Sequence, residues 1–188
     1  MTTTPPSPYA VRLASTVDLA EVARCRFEWA LERGAGAAAQ DDAEFGARLG
    51  QWWDATADRR CTWLAVPAGH AEVSKRVGEL GAAGADGSAW AGGSVQAVGM
   101  ASLTVYQRMP WPGAPEARWA YVGQLWVDPQ HRRRGVGRLL VEHLVAWARD
   151  GGLVRLVLNP SEMARPLYAG LGFRPASDLM RLDFPAPD

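Results

Sequence analysis

The chain is poor in lysine, in cysteine and in net charge. Lys75 is its only lysine, so basic charge rests almost entirely on arginine. Twenty basic residues balance 20 acidic ones, for a formal net charge of +0. Binding to a phosphate backbone draws on an excess of basic charge, so no nucleic-acid partner is expected. Cys25 and Cys61 are the only cysteines, and their separation gives no metal-ligand spacing. Two reduced, buried thiols in a cytoplasmic protein, with no metal, are the expectation. No apolar run approaches the ~20 residues of a membrane span. The Thr/Pro-rich start lacks an apolar signal-peptide core, so no membrane partner is expected either.

Glycine, by contrast, is placed where it matters. The stretch Leu125-Trp126-Val127-Asp128-Pro129-Gln130-His131-Arg132-Arg133-Arg134-Gly135-Val136-Gly137-Arg138-Leu139-Leu140 reads as a strand, a sharp turn, an arginine-flanked Gly-x-Gly loop and an apolar helix. Glycine lets a ligand approach the loop backbone closely. The first turn of the helix leaves N–H groups unpaired and its dipole favours an anion. Arg132, Arg133 and Arg134 add positive charge. Such a loop suits phosphate. A P-loop is excluded, since Arg138 and Leu139 stand where Lys and Ser or Thr are needed. A dinucleotide fingerprint is excluded, since Leu140 replaces the third glycine.

What remains is Arg-x-x-Gly-x-Gly, filled by Arg132 to Gly137 and preceded by Val127-Asp128-Pro129. In these residues the chain resembles the GNAT acyltransferase superfamily. The resemblance implies that acetyl-CoA is the co-substrate. It implies binding by the loop residues Arg132, Arg133, Arg134, Gly135, Val136, Gly137 and Arg138. Backbone groups of Leu125, Trp126 and Val127 would meet the amide-bearing arm of CoA, an ordinary ladder interaction at an opened strand edge. A backbone N–H near Trp126 or Val127 would hold the oxyanion.

The rest of the chain fits this frame. At 188 residues and 48% hydrophobic, it suits one folded domain with a sizeable core. Residues 1–9 read as a loose tail and 185–188 as another, around a single domain at 10–184. A strand at Val11–Ala14 precedes a helix carrying Leu19, Val22, Ala23, Phe27 and Ala30. A second helix is expected from about Asp41 to Ala57, then a strand at Cys61–Val66. Residues 67–94 form a Gly/Ala-rich insert between two strands, with a short helix possible at Ala71–Leu80. Strands follow at Val95–Gln107 and Trp119–Val127. A helix then runs to about Arg149, and a strand covers Leu153–Leu158. A further helix starts at Asn159-Pro160-Ser161, and a last strand spans Leu179–Phe184. This order predicts an α/β fold: a mixed, mostly antiparallel sheet with helices on both faces. It is also the element order of the GNAT acyl-CoA-binding fold.

Asn159 to Phe173, with Leu167-Tyr168-x-x-Leu171-Gly172-Phe173, is similar to the closing segment of many GNAT enzymes. The resemblance makes Tyr168 the candidate acid toward the leaving thiolate, a role a phenol can fill. A core aromatic with its hydroxyl at the edge is the plainer reading. Asn159 would bind the pantetheine arm or a water, or simply cap a helix. An amine with a pKa near ~10.4 is only about 0.04% neutral at pH 7, so a base or water chain is needed. Gln124 can position a water but cannot act as a base. Glu28, with Glu32 on the same helix, is the candidate base, against the plainer reading of a solvated helix face. Trp29, Trp52, Trp53, Trp111 and Trp119 are available for an acceptor pocket or for core packing.

These features predict an N-acetyltransferase that moves acetyl to a primary amine of a small molecule or peptide by direct attack. Neither cysteine sits in a recognisable nucleophile setting. The resemblance also brings a homodimer as a family habit. Two other readings stay open. One is a non-catalytic acyl-CoA-binding sensor or regulatory module that does not depend on Tyr168. The other is a nucleotide- or nucleic-acid-binding protein that uses the Arg132–Arg134 cluster.

Overall fold

The computed structural model describes residues 7–70 and 96–184. The tails at 1–6 and 185–188 and most of the 67–94 insert, including the helix expected at Ala71–Leu80, lie outside the described residues. Among the described residues five strands form one sheet in the order β1-β2-β3-β4-β5. They are β1 (Tyr9–Leu13), β2 (Arg60–Pro67), β3 (Gly99–Gln107), β4 (Arg118–Val127) and β5 (Leu156–Leu158). The first four pair antiparallel in sequence order, and β5 joins β4 in parallel. The chain reaches β5 by the crossover helix that parallel pairing requires. The helices are α1 (Leu19–Glu32), α2 (Gly36–Gln40), α3 (Phe45–Ala55), α4 (Val136–Asp150) and α5 (Arg165–Ala169).

Strand alternation divides the core into two halves. Trp63, Ala65, Ala101 and Leu103 face α4, which buries Val136, Leu140 and Leu144 at helical spacing. Leu64, Val66 and Met100 face the other way, toward Val22 and Cys25 of α1 and Trp53 of α3. Strand β4 changes sides along its length. Ser102 pairs with Gln124, but the next residue, Leu103, pairs with Val122. Gly123 is therefore an extra residue, a β-bulge. Before it, Ala120 and Val122 face α4; after it, Trp126 faces α1, although all three have even numbers. One inserted residue shifts the two-residue period by one and reverses the face.

Several element boundaries differ from expectation. The helix expected at 41–57 begins only at Phe45, after a turn in which the Phe45 N–H bonds the Asp42 backbone carbonyl at 3.2 Å. The short α2 occupies part of the connection before it. Strand β5 is limited to three residues; its forerunner Val154 is exposed, its backbone N–H bonded to the Arg118 carbonyl. After Asn159 the chain makes a 3-10 turn at Glu162–Ala164 before α5. The last strand expected at Leu179–Phe184 is not formed. Met180 is 99% exposed and Leu182 77%, so the apolar residues of this segment have no sheet face to cover. Both cysteines are free; Cys25 is fully buried as expected, whereas Cys61 is only half-buried.

Candidate active site

The turn after β4 holds the least ordinary backbone in the described chain. Asp128 closes a 3-10 turn at Pro129–His131 by accepting the Gln130 N–H at 2.8 Å. Arg133 then adopts φ 59, the left-handed region that a side-chain-bearing residue rarely enters. Gly135 follows at φ 87 and caps α4. Left-handed residues in such a turn aim successive N–H groups into one concavity, and the α4 dipole points its positive end there. The result is a concavity suited to an anion.

A cleft of about 610 Å³ opens before this cradle. Leu125, Trp126 and Val127 form its strand wall, and Leu167 of α5 with Met163 forms the opposite side. It opens where β5 ends, at Leu158. Pairing with β4 covers Ala120↔Leu156, Tyr121↔Val157 and Val122↔Leu158, then stops. Beyond that point the β5-facing edge of β4 has no strand beside it among the described residues. Gly137 sits at the narrowest approach: a Cβ there would stand 3.4 Å from Leu167 and 3.7 Å from Val127.

Of the residues singled out from sequence, Arg132, Arg133, Gly135, Gly137 and Arg138 line this cleft with the β4 residues. Val136 does not; its side chain is buried under the sheet. Arg134 and Asn159 are exposed and stand outside the cleft wall. Tyr168 is buried, edge-on to Phe173 at 5.4 Å between ring centroids, and burial pushes its phenol up to about 12. It follows Leu167 in sequence but is not itself in the cleft wall. Glu28 is half-buried and lines neither this cleft nor the second cavity described next.

Glu32, one turn further along α1, is more deeply engaged. Both its oxygens accept from Arg132 at 2.5 Å, and one also accepts from the Trp126 indole N–H at 3.2 Å. Arg132 in turn donates from Nε to the Val127 carbonyl at 2.9 Å. This chain of contacts ties α1, β4 and the anion loop together. The 100-residue separation of Glu32 and Arg132 hid it from sequence inspection.

Further back along β4, on the face that α1 covers, lies a second cavity, of about 420 Å³. Thr62, Ser102, Thr104 and Gln124 floor it; Arg26, Leu49 and Trp52 wall it. The Thr62 and Ser102 hydroxyls are bonded to each other at 3.0 Å. Gln124 is 7% exposed; its Oε1 accepts from Arg26 Nη1 at 3.1 Å, and its Nε2 has no partner among the described residues. The Arg26 guanidinium lies 4.4 Å from the Trp29 ring centroid, and burial lowers its pKa. The two cavities are neighbours: Gln124 adjoins Leu125 on β4, and Arg26 and Trp29 are one turn apart on α1. Sequence inspection found Trp29 and Trp52 but not Arg26, which no motif marks. Trp53 is core, Trp111 lies exposed in a turn, and Trp119 stacks on Tyr106 at 4.8 Å.

Among the described residues no three His, Cys, Asp or Glu side chains gather as a metal site, and no helix is long and apolar enough to cross a membrane. Comparisons with known proteins agree on one family. The chain is 34% identical over 86 residues to glucosamine 6-phosphate N-acetyltransferase of Trypanosoma brucei brucei, covering 46% of this chain and 56% of that protein. It is 43% identical over 54 residues to the [ribosomal protein bS18]-alanine N-acetyltransferase of Salmonella typhimurium, covering 27% and 36%. The chain thus spans little more than half the length of the first of these relatives and about a third of the second. A predicted acetyltransferase from Clostridium acetobutylicum, solved with acetyl-CoA, superposes with a TM-score of 0.66 at 15% identity, covering 93% of this chain and 96% of that one. The profile of the acetyltransferase (GNAT) family matches residues 51–173, which include the bulged strand, the anion loop and α5. The chain belongs to the GNAT family.

Proposed function

We propose that this protein is an N-acetyltransferase that moves acetyl from acetyl-CoA to a primary amine by direct attack. One observation carries the reading: an anion-binding cleft and a separate half-apolar cavity meet at Gln124 and Leu125 of the bulged strand. A donor in the one and an acceptor in the other would meet there. The relatives that act on glucosamine 6-phosphate and on a protein alanine both take an amine, which supports that class of acceptor.

The roles follow from chemistry. The N–H groups of Gly135 to Gly137 and the guanidinium groups of Arg133 and Arg138 would hold the pyrophosphate. The free edge at Leu125–Val127 would align the pantetheine amides and donate an N–H to the developing oxyanion. Tyr168, protonated at neutral pH, would give a hydrogen bond or proton to the leaving thiolate. Asn159 would hold the arm or a water, and Gln124 a water on the path of the amine proton. Glu28 stays the carboxylate proposed to receive that proton through water.

A calorimetric titration with acetyl-CoA, with ATP and NAD as controls, tests the cofactor assignment. Micromolar, CoA-selective binding together with amine-dependent thiol release is the expected result. Equal binding of all three nucleotides would defeat the reading. Tight acetyl-CoA binding without thiol release from any amine would favour the non-catalytic sensor.

A further inference from the structure

The second cavity has a charge pattern of its own. Its charged lining residues, among those described, are Arg26 and Arg48; no carboxylate lines it. Arg48 is already committed to Asp42, with Glu44 at 3.9 Å. Arg26 is different. It has no carboxylate within ion-pair distance among the described residues, and its one hydrogen bond goes to Gln124. A guanidinium carries five N–H donors, so most of its capacity is free. Its pKa is lowered by burial, with no neighbouring acid counteracting. A half-desolvated cation beside a cavity is best complemented by an anion arriving with the ligand.

The remaining walls fix what the anion is attached to. Phe45, Leu49, Trp52 and Met100 give an apolar, partly aromatic surface. The hydroxyls of Thr62 and Ser102 largely satisfy each other. Arg26 reaches Gln124, whose neighbour Leu125 lines the donor cleft, so the cation sits close to where an acceptor amine must stand.

We propose that this cavity selects α-amino carboxylates with apolar side chains, Arg26 pairing with the carboxylate while Leu49, Trp52 and Met100 hold the side chain. The proposal rests on the N-acetyltransferase reading and names its acceptor. Amine and carboxylate are bonded to the same carbon in such a ligand, matching the closeness of Arg26 to the cleft. Polycationic amines fit poorly, since no acidic side chain among the described lining would receive them. A sugar phosphate supplies an anion but presents a polar body to apolar walls.

The test compares matched acceptors: phenylalanine and leucine, their carboxamides, spermidine and glucosamine 6-phosphate. Acetyl transfer is followed by thiol release, and binding to the CoA-loaded protein by calorimetry. The expected result is a preference of about tenfold or more for each amino acid over its carboxamide, since charge-assisted hydrogen bonds are the strong ones. The carboxamide amine is the less basic of the pair, so this preference cannot come from a more readily deprotonated nucleophile. Arg26→Gln should remove it while acetyl-CoA affinity is retained. A panel led by a carboxamide, spermidine or glucosamine 6-phosphate overturns the proposal but leaves the acetyltransferase reading standing. Carboxylate-selective binding without any transfer does the reverse. An Arg26→Gln protein that binds acetyl-CoA and keeps the full preference also overturns it. Should that variant fail to fold, the wild-type panel decides alone.

Discussion

The two cavities that adjoin along β4 are built in opposite ways. The cleft proposed for the donor comes largely from one unbroken stretch, Leu125 to Arg138, closed by Met163 of the 3-10 turn and Leu167 of α5. The acceptor cavity draws on α1, α3, β2, β3 and β4, residues scattered from Val22 to Gln124. One is made by backbone geometry and the other by side chains meeting across the fold. The first kind of site tolerates side-chain change but not a changed φ. The second tolerates backbone variation, while its specificity sits in a few side chains.

The largest effect expected from this contrast is at Gly135. At φ 87 a side-chain-bearing residue costs roughly 1–2 kcal/mol, and a β-branched one more. Gly135→Val should therefore tilt the loop N–H groups off their common direction. Acetyl-CoA affinity should fall about a hundredfold or further by calorimetry, the scale of losing two or more charge-assisted hydrogen bonds. Arg134→Ala, a neighbour outside the cleft wall, should change it less than about threefold. Equal losses in the two variants would mean that loop charge, and not loop backbone, holds the phosphates.

The same contrast explains what was legible in the sequence. The anion loop was readable because φ above zero and a helix start leave a glycine signature within six residues. The two-faced mixed sheet was readable from period and order of elements. The bulge at Gly123 was not: a lone glycine in a strand does not say whether the register slips, and so the side to which Gln124 and Trp126 point was hidden. Arg26 was hidden because its role depends on Gln124, 98 residues away. The strand expected at Leu179–Phe184 shows the converse error. Leu179, Met180, Leu182 and Phe184 look like a strand's apolar content, but β5 is three residues long and they remain exposed.

Tyr168→Phe sharpens the division by separating binding from turnover. The phenyl ring keeps its edge contact with Phe173 and the hydroxyl is lost. A proton donor to a leaving group is worth about a hundredfold at the low end of general acid catalysis. With the phenol in that role, kcat should drop on that scale while acetyl-CoA affinity stays within about twofold. An unchanged kcat would reduce Tyr168 to packing.

A smaller effect is expected within the first cleft, where α1 holds the anion loop. Glu32 holds Arg132 at 2.5 Å, but both side chains are about one-third exposed, so solvent screens the pair. Its worth is expected at about 1 kcal/mol or less. Glu32→Gln should lower stability by no more than that in denaturant unfolding. It should also release Arg132 toward the anion cradle, tightening acetyl-CoA about two- to threefold at low salt, a gain that high salt erases. Weaker binding would mean that the clamp on α1 orients the loop more than its charge opposes the ligand.

A last effect is confined to the alkaline limb, and it tests whether the Tyr168 phenol is as buried as its proposed role requires. Burial raises the Tyr168 pKa from the ordinary 10.0 to about 12, so folding favours the neutral phenol. A raised acid contributes stability that is fully present below the ordinary value and is lost as pH rises through about 12. Between those limits the unfolded chain would ionise this phenol while the folded chain would not, so stability should slope downward there. In Tyr168→Phe that part of the slope should vanish. The difference in phenolate absorbance between the two proteins should stay flat through pH 10 and appear only near pH 12 or with unfolding. A difference signal already rising near pH 10 would mean that water reaches the hydroxyl freely. The case for a proton-bearing phenol, kept for the thiolate by desolvation, would then fail even if the variant were slow.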